Sequence, residues 1–212
     1  METIVENHKI VDDEILMEQN KVRLYRSWSF WENYETKEDI QQDYSKLLKE
    51  VFTFDDLISF WQFWNKYPGS TPNNIFFDGE RIKYFFKEKY RIVAMNLFEK
   101  NIRPEWEDIK NKKCKIFTLE YVINNDLDKF MESVKESWTK LLCLLIGETM
   151  PNSQLINGVR FVDKTKLNSW KKIIFRFEVW ANASITDEQI NTLKDFLAEN
   201  FGCSGITIKT VD

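Results

Sequence analysis

The residues best suited to chemistry lie near mid-chain, in Ile102-Arg103-Pro104-Glu105-Trp106-Glu107-Asp108-Ile109-Lys110-Asn111-Lys112-Lys113. Pro104 lacks a backbone donor and drives Arg103 toward extended geometry. The Asn111-Lys112-Lys113 run is polar and turn-like, so Trp106 is expected on a loop. An indole on a loop has fewer core neighbours than one inside an element, which leaves its face open to a ligand. Glu107 beside it can accept two hydrogen bonds at once. An aromatic face next to a carboxylate suits a planar cation with paired N–H donors. An N7-methylated guanine is such a group: its ring is positive, and one edge offers N1–H and an exocyclic amine. The other reading of these residues is a lid ring packed on the core beside a solvated acid.

Composition narrows the field. A chain of 212 residues, 43% hydrophobic and 30% charged, can bury a proper core. Its 8 Trp and 17 Phe must mostly fill that core, since a site needs only two or three rings. A net charge of −4 excludes a globally basic surface, so any nucleic-acid contact needs a local basic cluster. The only histidine is His8, which removes a histidine-based catalytic apparatus. Cys114, Cys143 and Cys203 are far apart and odd in number, the pattern of free thiols in a reducing compartment without zinc spacing. There is no 18-residue apolar run and no signal-peptide pattern, so a cytoplasmic protein without membrane attachment is expected. No metal cluster, nucleophile–base pair or glycine-rich phosphate loop is present, so neither enzymatic turnover nor a cofactor is expected.

Several elements must position the loop. Residues 1–20 are acidic and read as a mobile tail, leaving 21–212 as one domain. Leu24 to Trp31 alternates like a strand, Glu32 to Asp43 reads as a loop closed by Tyr44, and Ser45 to Phe52 reads as a second strand. Thr53-Phe54-Asp55-Asp56 has the form of a capping box opening a helix to about Lys66, with Leu57, Phe60, Trp61 and Trp64 on one face. Between Tyr67 and Tyr90, Asp78-Gly79 is a hairpin-type turn; a short helix from Glu80 to Lys89 is the alternative. Strands follow at Arg91–Phe98 and Lys115–Val122. Asn125 is expected to cap a helix over Asp126–Ile146 that ends at Gly147, with Trp138, Leu141, Leu142 and Leu145 buried. Gln154–Asp163 and Lys171–Trp180 read as strands, and in the second Ile174, Arg176, Glu178 and Trp180 share one face. Thr186-Asp187-Glu188-Gln189 is a capping box for a helix to Asn200 that stops at Gly202, and Gly205–Val211 closes as an edge strand. The sum is an α+β fold: a curved antiparallel β-sheet with three helices on its convex face.

Pro104 to Lys112, read as Pro-x-Trp-Glu-Asp-x-Lys-Asn-Lys, resembles the cap-binding loop of the eukaryotic translation initiation factor 4E family. Trp28-x-x-Trp31 and the helix end Leu141-Leu142-Cys143-Leu144-Leu145-Ile146-Gly147-Glu148 are similar to that family as well. The resemblance covers about Leu24 to Val211, with gaps, and departs from the family in the longer Tyr67–Tyr90 stretch. It implies a binding protein for the 7-methylguanosine cap of mRNA acting in translation initiation. The alternatives are a cap-binding repressor and an interaction protein of the same fold that has lost cap binding. By resemblance, Tyr44 and Trp106 sandwich the methylated guanine, Glu107 takes its N1–H and amine, and Trp180 lies against the N7-methyl group. Arg176, Lys164 or Lys166 (with Lys171 also possible), and Lys115 would hold the phosphates. Leu57, Trp61, Thr139, Cys143 and Gly147 would receive a helical peptide from an initiation scaffold or a 4E-binding repressor. Thr139 and Lys140 stand where the family has Leu and Glu. A monomer is expected.

Overall fold

Strands whose two sides differ in character organise the chain. In the computed structural model, which describes residues 22–36, 47–78, 81–83, 89–123, 126–165, 173–202 and 205–211, the elements are β1 (Arg23–Thr36), β2 (Leu48–Asp56), α1 (Leu57–Trp64), α2 (Pro72–Phe76), β3 (Phe77–Asp78), β4 (Arg81–Ile82), β5 (Tyr90–Glu99), β6 (Lys115–Val122), α3 (Leu127–Ile146), β7 (Ile156–Asp163), β8 (Ile174–Ala181), α4 (Asp187–Phe201) and β9 (Thr207–Thr210). Seven strands form one antiparallel sheet in the order β2-β1-β5-β7-β8-β6-β9, and β3 and β4 pair separately. This is the α+β fold expected, with a short fourth helix, α2, in addition.

One face of the sheet carries the core. Phe30, Leu97, Phe161, Phe177, Val179, Phe117 and Leu119 meet Phe60 and Trp64 of α1, Trp138, Leu141, Leu142 and Leu145 of α3, and Leu193 and Leu197 of α4. The α3 stripe read from the sequence is fully buried. The hydrophobic effect is the main source of stability here, and edge-to-face ring pairs such as Trp138–Phe161, at 5.5 Å, add geometric definition.

Local signals decide where the helices begin. The Thr186 capping box is present, with the hydroxyl accepting from Gln189 N and the Gln189 side chain accepting from Thr186 N, and Gly202 ends α4 at φ 62°. Elsewhere the caps differ from expectation. Asp56, not Thr53, caps α1: its carboxylate accepts from Ser59 N at 2.8 Å and Ser59 Oγ at 2.6 Å. Thr53 instead pairs with Ser29 in the ladder, because β2 runs on to Asp56. Asp126 caps α3 by accepting from Lys129 N, whereas Asn125 falls outside the described residues.

The largest departure is at Glu32, expected in a loop. β1 continues to Thr36, and the Glu32 carboxylate accepts hydrogen bonds from the hydroxyls of Tyr34 and Tyr67, each at 2.5 Å. Burial and the nearby carboxylate push both phenols up from their ordinary value. The 67–90 stretch is folded where it is described. Pro68–Ser70 is a turn of 3₁₀ helix, α2 follows, and Phe77 pairs with Ile82 and Asp78 with Arg81, so Asp78 of the expected Asp78-Gly79 turn lies in β3, and residues 79 and 80 are outside the described set. Phe76 packs on Phe161 at 5.1 Å and on Phe175 at 5.5 Å, so this stretch contributes to the core. Residues 1–21 and 166–172, and with them the expected tail and Lys166, also fall outside the described residues.

Candidate functional site

The Trp106 loop is built around one buried amide. Asn111 is fully buried; its Nδ2 donates to Arg103 O at 2.7 Å and Glu105 O at 2.9 Å, and its Oδ1 accepts from Asn157 Nδ2 at 3.0 Å. Asn157 also donates to Lys110 O at 2.8 Å, which ties the loop to β7. Asp108 closes the turn by accepting from Arg103 N and Lys110 N. Arg103 pairs with Glu105 at 2.7 Å and lies 5.6 Å over the Trp31 ring. With every internal demand of the loop met, Trp106 and Glu107 point outward. Trp106 is 62% exposed, so it is not a lid on the core. Among the described residues Glu107 has no hydrogen bond or ion pair. A free indole face and a free carboxylate thus stand side by side on a rigid turn.

The open face of the sheet, opposite the helices, is mixed. A small apolar cluster of Phe98, Ile102, Cys114, Ile116, Trp180 and Val211 lies behind the loop. Next to it a polar row crosses four strands, with Asn96 opposite Arg160, Arg160 opposite Glu178, and Glu178 opposite Thr118. Trp180 belongs to the cluster. It is 0% exposed, meets Phe98 edge-on at 5.5 Å, and donates from Nε1 to Glu178 Oε2 at 3.1 Å. Alternation places Trp180 on the open face, as expected, and neighbours from β5 and β6 pack around its ring.

Register sorts the cations of the sheet. Lys115 shares the side of β6 that carries Phe117 and Leu119, and its ammonium donates to Thr210 Oγ1 at 2.7 Å. It does not join Arg176 and Trp180. Arg176 is on the open face, paired with Glu120 at 2.5 Å, and its Nε is buried without a partner. Lys164 leaves the end of β7. Burial first, then Arg176 beside it, lower its pKa; Arg160 and Lys209 push the same way, while Glu178 opposes them. Lys164 is thus within electrostatic reach of Arg176, Arg160 and Lys209, of which Arg176 is paired with Glu120 and Arg160 with Glu178. Arg160 and Lys209 were missed from the sequence. Single basic residues in alternating strands look like solvated surface until register sets them on one face. Tyr44, the expected second stacking ring, lies outside the described residues.

On the helix side, Trp61 is 39% exposed, Ile58 is exposed, and Leu57 is half-buried. On α3, Thr139 and Cys143 are half-buried and Gly147 is exposed. Lys140 donates to Asn200 O at 2.8 Å and lies 5.3 Å over Phe201.

With this geometry established, comparison with known proteins assigns the family: the profile of "Eukaryotic initiation factor 4E" matches residues 23–208. The chain belongs to the eukaryotic initiation factor 4E family. Among curated 4E proteins, isoform 4E of Arachis hypogaea is 27% identical over 142 residues, which is 66% of this chain and 58% of that protein. Initiation factor 4E1 of Drosophila melanogaster is 28% identical over 137 residues, 64% of this chain and 43% of that protein. The matches span about half the length of these relatives. Among solved 4E structures, Ascaris suum eIF4E-3 in complex with m7G cap has a TM-score of 0.67 at 21% identity, covering 91% of this chain and 92% of that one. Caenorhabditis elegans eIF4E-3 in complex with the 4E-binding protein Mextli has a TM-score of 0.66 at 18% identity, covering 90% and 93%. These likenesses show the shared 4E fold.

Proposed function

We propose that this 4E-family chain binds the 7-methylguanosine 5′ cap of mRNA and acts in translation initiation, as a non-enzymatic cytoplasmic monomer whose cap-binding domain is 21–212. The observation that carries this is the outward Trp106–Glu107 pair on a loop pinned by Asn111. In this reading Trp106 and Tyr44 stack on the methylated guanine, each contact contributing about 1–3 kcal/mol. Glu107 accepts N1–H and the amine as charge-assisted bonds, a pairing that adenine cannot make. Lys164 and Arg176, with Lys166 from the adjoining loop, take the phosphates. Trp180 lies against the N7-methyl group. A helical peptide of a scaffold or repressor docks on Leu57, Trp61, Thr139, Cys143 and Gly147. Titration with 7-methyl-GTP should quench tryptophan fluorescence, and GTP should do so far less. Equal quenching by the two nucleotides removes the reading.

A second reading, a repressor that holds the cap without recruiting the initiation scaffold, draws on Thr139 and Lys140. The Lys140 ammonium sits at the end of α4 where the family resemblance implies a carboxylate. Recovery of the scaffold together with capped RNA in a pull-down would rule it out. A third, an interaction protein without cap binding, draws on the burial of Trp180. Retention on a cap-analogue resin, lost on Glu107→Ala, would dispose of it.

A further inference from the structure

We infer that Arg160 is a specificity-determining residue that weakens this chain's preference for a positively charged base, because it places a resident cation on the face of Trp180. The inference rests on the cap-binding reading and on the family expectation that the base approaches Trp180. The Arg160 guanidinium lies 5.4 Å from the Trp180 ring centroid. It is held there on two sides: Nε donates to Asn96 Oδ1 at 2.8 Å, and Nη1 donates to Glu178 Oε2 at 3.3 Å. Asn96 is itself fixed, since its Nδ2 donates to Asn33 Oδ1 at 2.7 Å and to Trp31 O at 3.2 Å. Glu178 Oε2 also accepts the Trp180 indole N–H. Asn96, Arg160, Glu178 and Trp180 are thus one network in which the ring, its hydrogen-bond acceptor and its cation position one another.

An indole attracts a cation through the negative face of its quadrupole, and here that face already has an occupant. The Arg160 and Glu178 side chains are only 17% and 10% exposed, so solvent screens them weakly. A second positive group brought to this ring must compete with Arg160, which is already on its face and anchored by Glu178. Lys164 and Arg176 attract phosphates whether or not the base is methylated. Methylation is therefore rewarded mainly at the Trp106 loop and little at Trp180.

The test compares the affinities of 7-methyl-GTP and GTP, by fluorescence titration, in wild type, Arg160→Met, Arg160→Lys and the double variant Arg160→Met/Glu178→Gln, each first shown to melt cooperatively. Arg160→Met should raise the ratio of the two affinities by about five- to tenfold, the size of one partly desolvated cation–π contact. Arg160→Lys keeps a cation and should leave the ratio near wild type. The double variant should keep most of the gain, which separates loss of the cation from the exposed charge of Glu178. An unchanged ratio in Arg160→Met, an equal loss of both nucleotides, or a double variant that falls back to wild type overturns the inference. Trp106→Ala tests the underlying reading on its own. If that variant loses 7-methyl-GTP binding, cap binding stands and a flat Arg160→Met ratio sinks the Arg160 inference alone. If no form binds either nucleotide, both are removed.

Discussion

The two faces of the sheet are made by the same strands and do opposite work. Toward the helices, β5, β6, β7 and β8 present Leu97, Phe117, Phe161, Phe177 and Val179, a dry layer closed by α1, α3 and α4. On the other side β5, β7 and β8 present Asn96, Arg160, Glu178 and Trp180, bonded to one another, and Arg176, bonded to Glu120 of β6. The first face consists of interchangeable apolar contacts whose strength scales with area. The second consists of directional contacts that fail one at a time. Fold and ligand chemistry are therefore separable here, and mutation can tell them apart.

The largest effect should come from the helix face. Trp138→Ala empties a site at 0% exposure between Phe161 and Phe177 and should cost about 3–5 kcal/mol in denaturant unfolding. Variants that still fold should keep the wild-type ratio of 7-methyl-GTP to GTP affinity. If that ratio moved, the two faces would be coupled and the contrast lost. Asn111→Ala should be milder for the fold and harsher for the ligand. It leaves Arg103 O and Glu105 O without their donor, at about 1–3 kcal/mol, and frees the loop that displays Trp106. A loss of 7-methyl-GTP binding larger than the loss of stability is the expected signature, read by titration and melting of the same variant.

The smallest effect is at Cys114, in the small cluster of the open face. Burial first, then the Glu178 carboxylate, push its thiol up to about 12, while Lys115 opposes. The folded state thus favours the protonated thiol. Between the ordinary value of 9.0 and about 12 the unfolded chain loses that proton and the folded chain keeps it. Stability from this group is complete below the lower value and falls as pH rises through the window. Native protein at pH 8 should leave Cys114 unalkylated by iodoacetamide, and Cys114→Ala should flatten the alkaline fall in stability. Ready alkylation in the folded state would show that the cluster opens.

Much of this was legible in the residues. β6 was read to its exact bounds, the α3 stripe follows from spacing alone, and the Thr186 box was explicit, because periodicity and capping are local signals. Family membership rested on the Trp106 loop and the Leu141–Glu148 helix end. What escaped were contacts between distant segments. Glu32 reads as loop acid because its two phenol partners come from Tyr34 and from Tyr67, 35 positions away. Alternation gives Trp180 its side of the strand but not the Phe98 that packs against it. The side of β6 on which Lys115 stands is fixed only by register with β8. At the α1 start the capping-box form pointed to Thr53, but the ladder claims Thr53 and Asp56 caps the helix.

The long stretch after α1 has an evolutionary corollary. Ile75, Phe76 and Phe77 are buried, and the two rings pack against Phe161 and Phe175. Tyr67 at its start satisfies an acid inside the sheet. A lineage carrying this stretch cannot shed it by one deletion, since that would open a hole and strand a carboxylate together. A shortened variant would need compensating changes in β7, β8 and β1, so this length is part of the core and not an appendage.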